Sequence, residues 1–284
     1  MTNADTATQT DATAPVETHT QSLVTTTGLT KAYGDQPVFA DVGLEIPAGA
    51  MTAVIGPNGV GKTTLLETLL GHVDPTAGTV TYTGPDVARP MGYLPQEPAF
   101  RPQFTVAETV NFYASLVDAV VDTEALLREV NLYTARNRRV SALSGGMRRL
   151  LAVAQAVLGD PPVVCCDEPA SGLDPSMARR VFESLAGRAA DGMAVIVASH
   201  TLSLVEAYAD RVVILDTGGV AASGSPTALG DRYDAADLWD VYGTVTEHTA
   251  EGAAAGDTAT AATRDGGRRS RRPDTDTTSP GEQA

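Results

Sequence analysis

Residues Gly56, Pro57, Asn58, Gly59, Val60, Gly61, Lys62 and Thr63 fit the spacing G-x-x-x-x-G-K-[ST], and Thr64 follows. Glycines leave backbone N–H groups uncrowded enough to wrap an anion. Lys62 adds one compact positive charge suited to the β- and γ-phosphates of a nucleotide, and the Thr63 hydroxyl is a hard oxygen ligand for Mg²⁺. The chain has only two lysines, Lys31 and Lys62, against eighteen arginines. Retaining lysine at 62 is informative, because a flat guanidinium is too wide for an enclosed loop and an ammonium is not. Two acids end the run VVCCDEP. A carboxylate at the end of an apolar strand is costly unless it serves a cation or accepts hydrogen bonds. Asp167 is therefore a candidate Mg²⁺ ligand and Glu168 a candidate base for an attacking water; a helix cap or a surface turn is the plainer reading of the pair. His200 closes AVIVASH, where it can reach a γ-phosphate or serve as a hydrogen-bonded core histidine. A second glycine pair, in LSGGM at 143–147, leads into helical sequence and reads as another anion cradle.

These groups need rigid elements to hold them. MTAVIG, PPVVCCDEP, GMAVIVASH and RVVILDTGG are short apolar runs, as strands buried on both faces should be. Helical patterns at 175–189 and 201–209 separate them, which predicts a parallel sheet covered by helices. Residues 23–48 and 78–94 are strand-like without intervening helices and predict an antiparallel flank. Residues 98–160 read as an inserted helical subdomain. The fold class expected is α/β: a phosphate-loop NTPase core with a parallel sheet, an antiparallel β flank and a helical insert. Residues 1–22 and 243–284 are rich in Thr, Ala, Asp and Gly and read as disordered tails. The second contains Arg268, Arg269, Arg271 and Arg272, a solvated charge cluster or a weak attraction for anionic lipid.

Composition narrows the classes. With 284 residues, 43% hydrophobic and a formal charge of −15, the chain can build a sizeable core but offers little to nucleic acid, which wants a basic stripe. Acidity with lysine depletion points to a halophile, in whose cytoplasm a Debye length of roughly 3 Å or less screens the self-repulsion. Cys165 and Cys166 lie in an apolar run and read as buried reduced thiols, which fits a cytosolic setting. No signal pattern opens the chain and no run of eighteen or more apolar residues occurs.

The phosphate loop, LSGGM and CCDEPASGLDP follow in that order, with SH after them. This resembles the nucleotide-binding subunit of ATP-binding cassette (ABC) transporters, over about residues 23–242. The resemblance implies further roles. Tyr33, in TKAYGD, matches the aromatic that stacks on adenine. Gln96, in YLPQEP, matches the glutamine that touches Mg²⁺ and the water and links core to insert. Ser144, Gly145, Gly146 and Met147 match the signature, with methionine where glutamine is common. Asp174, in SGLDP, matches a loop that communicates across a dimer. Glu168 and His200 match the general base and the γ-phosphate switch. In this family two cassettes pair head to tail, so the second cradle serves the partner's ATP. The partners implied are ATP, a second ATP-binding subunit and integral membrane permease subunits, with the chain peripheral on the cytoplasmic face of the membrane. The SGGM sequence with arginines after it resembles export-type cassettes. The alternative is a soluble ABC ATPase acting on nucleic acid or ribosomes, against which stand the single cassette and the short gap between Gln96 and Ser144.

Overall fold

The computed structural model describes residues 21–117 and 121–247. The arginine cluster at 268–272 and most of both predicted tails lie outside the described residues. Strands β1 (Ser22–Tyr33), β2 (Gln36–Pro47), β3 (Met51–Ile55), β4 (Ala77–Tyr82), β5 (Met91–Leu94), β6 (Val163–Asp167), β7 (Ala194–Ala198), β8 (Arg211–Asp216) and β9 (Gly219–Gly224) form two sheets. One is antiparallel, in the order β2-β1-β4. The other runs β5-β6-β7-β3-β8-β9, parallel throughout except for β9 at one edge. This is the expected parallel core with an antiparallel flank.

β3, β6 and β7 are buried at every position. The reason is that both faces of the central sheet are covered. Along β6, Val164 and Cys166 pack with the helical insert, while Val163 and Cys165 pack with the antiparallel sheet. An uninterrupted apolar run follows from that geometry, where a half-solvated strand would alternate. Each fully buried Leu, Ile or Val in these layers contributes roughly 1.5–3 kcal/mol relative to exposure. Both cysteines are free and buried, and burial pushes the Cys166 thiol up to about 12.

The flank differs from expectation in one strand. Met91–Leu94, expected with the antiparallel sheet, instead pairs parallel with β6, Tyr93 opposite Cys165. Only four residues long, it carries no periodicity that could name its partner. β9 also adds an antiparallel edge that the alternating β/α pattern does not announce.

Helix α1 (Lys62–Leu69) follows the loop after β3. The insert holds α2 (Val106–Leu116), α3 (Thr123–Glu129) and α4 (Gly145–Ala156). Their starts are set by side chains that accept orphan N–H groups. Thr105 and Glu108 make a reciprocal capping box on α2, Asp122 caps α3 and Ser144 caps α4. Helices α5 (Pro175–Ala190), α6 (Leu202–Tyr208) and α7 (Pro226–Tyr233) complete the core. Arg188 of α5 bridges Glu129 at the end of α3, at 2.8 Å, and Asp160, at 2.9 Å. Residues 238–247 are helical and bury Leu238, Val241 and Val245 against β3, α6 and β8. Residues 243–247, expected in the tail, belong to this helix because Val245 has an apolar seat.

Candidate nucleotide site

β3 delivers the chain to Gly56, where a Cβ would strike the Leu215 carbonyl of the neighbouring strand; only glycine lets the backbone turn this close to β8. At Gly61 the backbone takes φ +107°, in the left-handed region that favours glycine, and α1 begins at once. No side chain caps α1. Its first N–H groups and positive dipole end therefore face the cleft between the loop and the ends of β5 and β6, an arrangement suited to phosphate.

The cleft measures about 360 Å³ and is lined by Asn58, Gly59, Gly61, Lys62, Thr63, Thr64, Gln96, Asp167 and Glu168. Lys62 Nζ donates to the carbonyls of Gly56 at 2.7 Å and Pro57 at 3.0 Å, so the ammonium is folded back across its own loop. Burial lowers its pKa from the ordinary lysine value, against the pull of Glu168 and Asp167. Thr63 Oγ1 donates to Asp167 Oδ2 at 2.6 Å. Asp167 is almost fully buried, and its other oxygen, Oδ1, has no hydrogen-bond partner among the described residues. Burial raises the Asp167 pKa, outweighing the Thr63 hydrogen bond that lowers it. A hydroxyl and a carboxylate with a lone oxygen to spare are a hard-cation donor set. Among the described residues no three His, Cys, Asp or Glu side chains gather to cage a metal. Mg²⁺ is commonly held by one or two protein oxygens together with substrate phosphates.

Glu168 sits just past the end of β6 in the left-handed region, φ +50°. Its N–H donates to the Ala198 carbonyl at 2.9 Å, which ties the turn to β7. Its Oε2 lies 2.7 Å from His200 Nδ1. His200, read from sequence as a γ-phosphate partner, thus leaves β7 beside the candidate base, with its ring mostly exposed.

The remaining candidates lie elsewhere. Tyr33 is exposed at the end of β1, outside the cleft lining, with Lys31 Nζ 4.7 Å from its ring centroid. Ser144 and Gly145 are exposed at the start of α4 and also do not line the cleft. Ser144 Oγ accepts from the Met147 N–H at 3.2 Å, and Gly146 abuts Leu173 and Met177. Nothing stands within 4 Å of where a Gly145 Cβ would be, so this second cradle opens away from the chain. Asp174 caps α5, accepting from the N–H groups of Ser176 and Met177, and these bonds, with one from the Ser176 hydroxyl, hold its pKa below the usual carboxylate value.

One residue of the site escapes sequence reading. Arg149 of α4 is 4% exposed and donates to backbone carbonyls of two loops at the cleft, those of Gln96 and Glu168 among them. Its signal is a charge on an apolar stripe: Arg149, Ala152, Val153 and Ala156 share the buried face of α4.

The family model described as ABC transporter matches residues 39–171. The Nod factor export ATP-binding protein I of Mesorhizobium japonicum is 34% identical over 228 residues, 76% of this chain and 67% of that protein. Its counterpart in Ralstonia nicotianae is 34% identical over 233 residues, 78% of this chain and 73% of that protein. Among solved structures, an ATP-binding subunit of an ABC transporter superposes with a TM-score of 0.70 at 28% identity, over 78% of this chain and 99% of that one. A dimeric ATP-binding cassette in a post-hydrolysis state, bound to ADP and Pi, shares the fold with a TM-score of 0.65 at 24% identity, over 71% and 98%. With the phosphate loop, the acid-bearing strand ends and the outward glycine cradle in these positions, the chain belongs to the ATP-binding, ATP-hydrolysing subunits of ABC transporters.

Proposed function

We propose that this chain binds Mg²⁺·ATP in the cleft beside α1 and closes on it as one half of a head-to-tail dimer, either with a second copy or with a related subunit. The observation that carries the reading is the convergence, in one cleft, of an uncapped helix start, Lys62, the Thr63–Asp167 pair and Glu168. Backbone N–H groups of residues 58–64 wrap the phosphates. Lys62 exchanges its two carbonyl contacts for the β- and γ-phosphates, an exchange favoured because an anion answers its buried charge better than neutral carbonyls do. Thr63, Asp167 and Gln96 hold Mg²⁺, which when bound neutralises charge on the phosphates and orients them. Glu168 positions and deprotonates the attacking water, and His200, released from Glu168, turns its exposed ring to the γ-phosphate. Tyr33 stacks on adenine. The exposed Ser144 and Gly145, with Gly146 and Met147 behind them, close over the partner's ATP, while Asp174 lies at the seam between subunits.

The closing and opening of the pair drives integral membrane permease subunits. Among the described residues no helix is long and apolar enough to cross a membrane, and in this reading the partners supply the membrane path. We place the chain on the cytoplasmic face of the membrane. The relatives named for Nod factor export favour an exporter.

Glu168→Gln tests the reading. ATP binding should persist while hydrolysis slows by ~10²-fold or more, the scale of a lost general base. The trapped nucleotide should then hold a dimer on size exclusion. Wild-type turnover in this variant would remove Glu168 from the mechanism.

A further inference from the structure

The guanidinium of Arg149 meets five backbone carbonyls. Nε donates to Pro169 at 3.2 Å; Nη1 to Pro95 at 3.0 Å and Gln96 at 2.6 Å; Nη2 to Asp167 at 2.9 Å and to Glu168. Pro95 and Gln96 lie in the loop leaving β5; Asp167 ends β6, and Glu168 and Pro169 lie in the loop leaving it. No ion pair to a carboxylate is among these contacts, although burying a guanidinium is costly and is ordinarily offset by one. The charge instead holds the backbone from which Gln96 and Glu168 project. A smaller cation could not gather five carbonyls spread over two loops; the planar fork spans both at once.

The place of Arg149 on its helix gives this clamp a second end. Ser144 caps the same helix five residues earlier, and Gly146 rests on Leu173 and Met177 beside Asp174. A displacement of the exposed start of α4 therefore reaches the two loops through less than two turns of helix. We propose that Arg149 is a positioning residue that couples the signature end of α4 to the Gln96 and Glu168 loops of the same subunit, so that closure over the partner's ATP sets the catalytic geometry at the subunit's own. This rests on the head-to-tail reading above. It makes hydrolysis at one site answer to occupancy of the other through a single buried side chain.

The experiment compares Arg149→Lys and Arg149→Gln with the wild-type full chain in thermal melting, equilibrium ATP binding, and steady-state hydrolysis across ATP concentration. Lysine keeps the charge but has one donor atom, which cannot span two loops; glutamine removes the charge as well. Arg149 touches no group of the phosphate loop, so affinity for ATP measured without Mg²⁺ should stay within about twofold of wild type. Turnover should fall on the order of 10- to 10²-fold, the cost of a catalytic group misplaced by about 1 Å. The dependence of rate on ATP should lose its sigmoidal shape. A purely structural tie would lower the melting temperature and ATP affinity together and leave the shape of the curve alone, and that result overturns the proposal. So does wild-type turnover in both variants, a hyperbolic curve in the wild type, or failure of both variants to fold. Glu168→Gln run alongside separates the two readings: if it too hydrolyses at the wild-type rate, the catalytic assignment has failed rather than the coupling.

Discussion

Asp167→Asn should make the nucleotide-free protein more stable and the nucleotide-bound protein less so. The folded state raises the pKa of Asp167 above its unfolded value, because burial outweighs the Thr63 hydrogen bond and the attraction of Arg149 and Lys62. A carboxylate whose folded pKa is raised favours folding only while it is protonated; once pH climbs above the unfolded value, its ionisation subtracts stability. Asparagine keeps the shape and can still accept from Thr63, but it carries no charge to desolvate. At neutral pH the empty variant should therefore melt higher, by about 2–4 °C for each kcal/mol gained in a domain of this size. The wild type recovers its loss on binding: a ligand at 100 times its Kd stabilises by about 2.7 kcal/mol, or roughly 5–11 °C. The Asp167→Asn variant would forfeit most of that, because an amide replaces the carboxylate whose lone Oδ1 suits Mg²⁺. Melting curves of both proteins, with and without Mg²⁺·ATP, should therefore cross: the variant higher when empty, the wild type higher when loaded. An empty variant that melts below the wild type, yet still gains as much from Mg²⁺·ATP, would refute both the strain at Asp167 and its role toward the cation.

Gly56→Ala should cost about 1–3 kcal/mol through overpacking against a backbone carbonyl, and should weaken ATP binding; equal melting temperature and affinity would mean that the loop has room to spare. For Asp174, hydrogen bonds from Ser176 and Met177 depress the folded pKa. Its contribution is thus present above the unfolded value and lost as pH falls through the folded one. Asp174→Asn should accordingly narrow the stability difference from wild type as melts are taken from neutral pH to acid, and a constant difference would count against the cap. From the formal charge of −15, full folding and activity should require molar salt; a protein equally folded and active in ~0.1 M salt, where the Debye length is about 10 Å, would defeat the halophile reading.

The parts of the fold that can be read in advance are those where local pattern and global position say the same thing. Continuous apolar runs in β3, β6, β7 and β8 follow from burial on two faces, and the glycine loop after β3 marks a strand-to-helix turn. Met91–Leu94 is hard to place because four residues hold no period, and its pairing with β6 is decided by the chain between them. The cleft is legible through Lys62, Thr63, Asp167 and Glu168 because each is an unfavourable residue type for an apolar setting. Arg149 is not, since its partners are carbonyls that every residue possesses. A buried arginine that seeks carboxylates leaves a trace in composition; one that seeks backbone leaves only a misplaced charge on an apolar stripe.

Arg149 and Arg188 both join the helical insert to the core, and they respond differently to their surroundings. Arg188 holds Glu129 and Asp160 through ion pairs that reach the surface, with the Asp160 side chain 85% exposed. Such pairs are worth about 0–1 kcal/mol and weaken as salt rises. Arg149 is buried and holds neutral carbonyls, so ionic strength has little hold on it. As salt rises, the outer tie between α3 and α5 loosens while the inner one, at the cleft, keeps its strength. The tie that salt leaves in place is the one on α4, which starts at Ser144 and, in the head-to-tail reading, faces a partner's nucleotide. An acidic chain working in strong salt would in this way keep the Gln96 and Glu168 loops registered to α4.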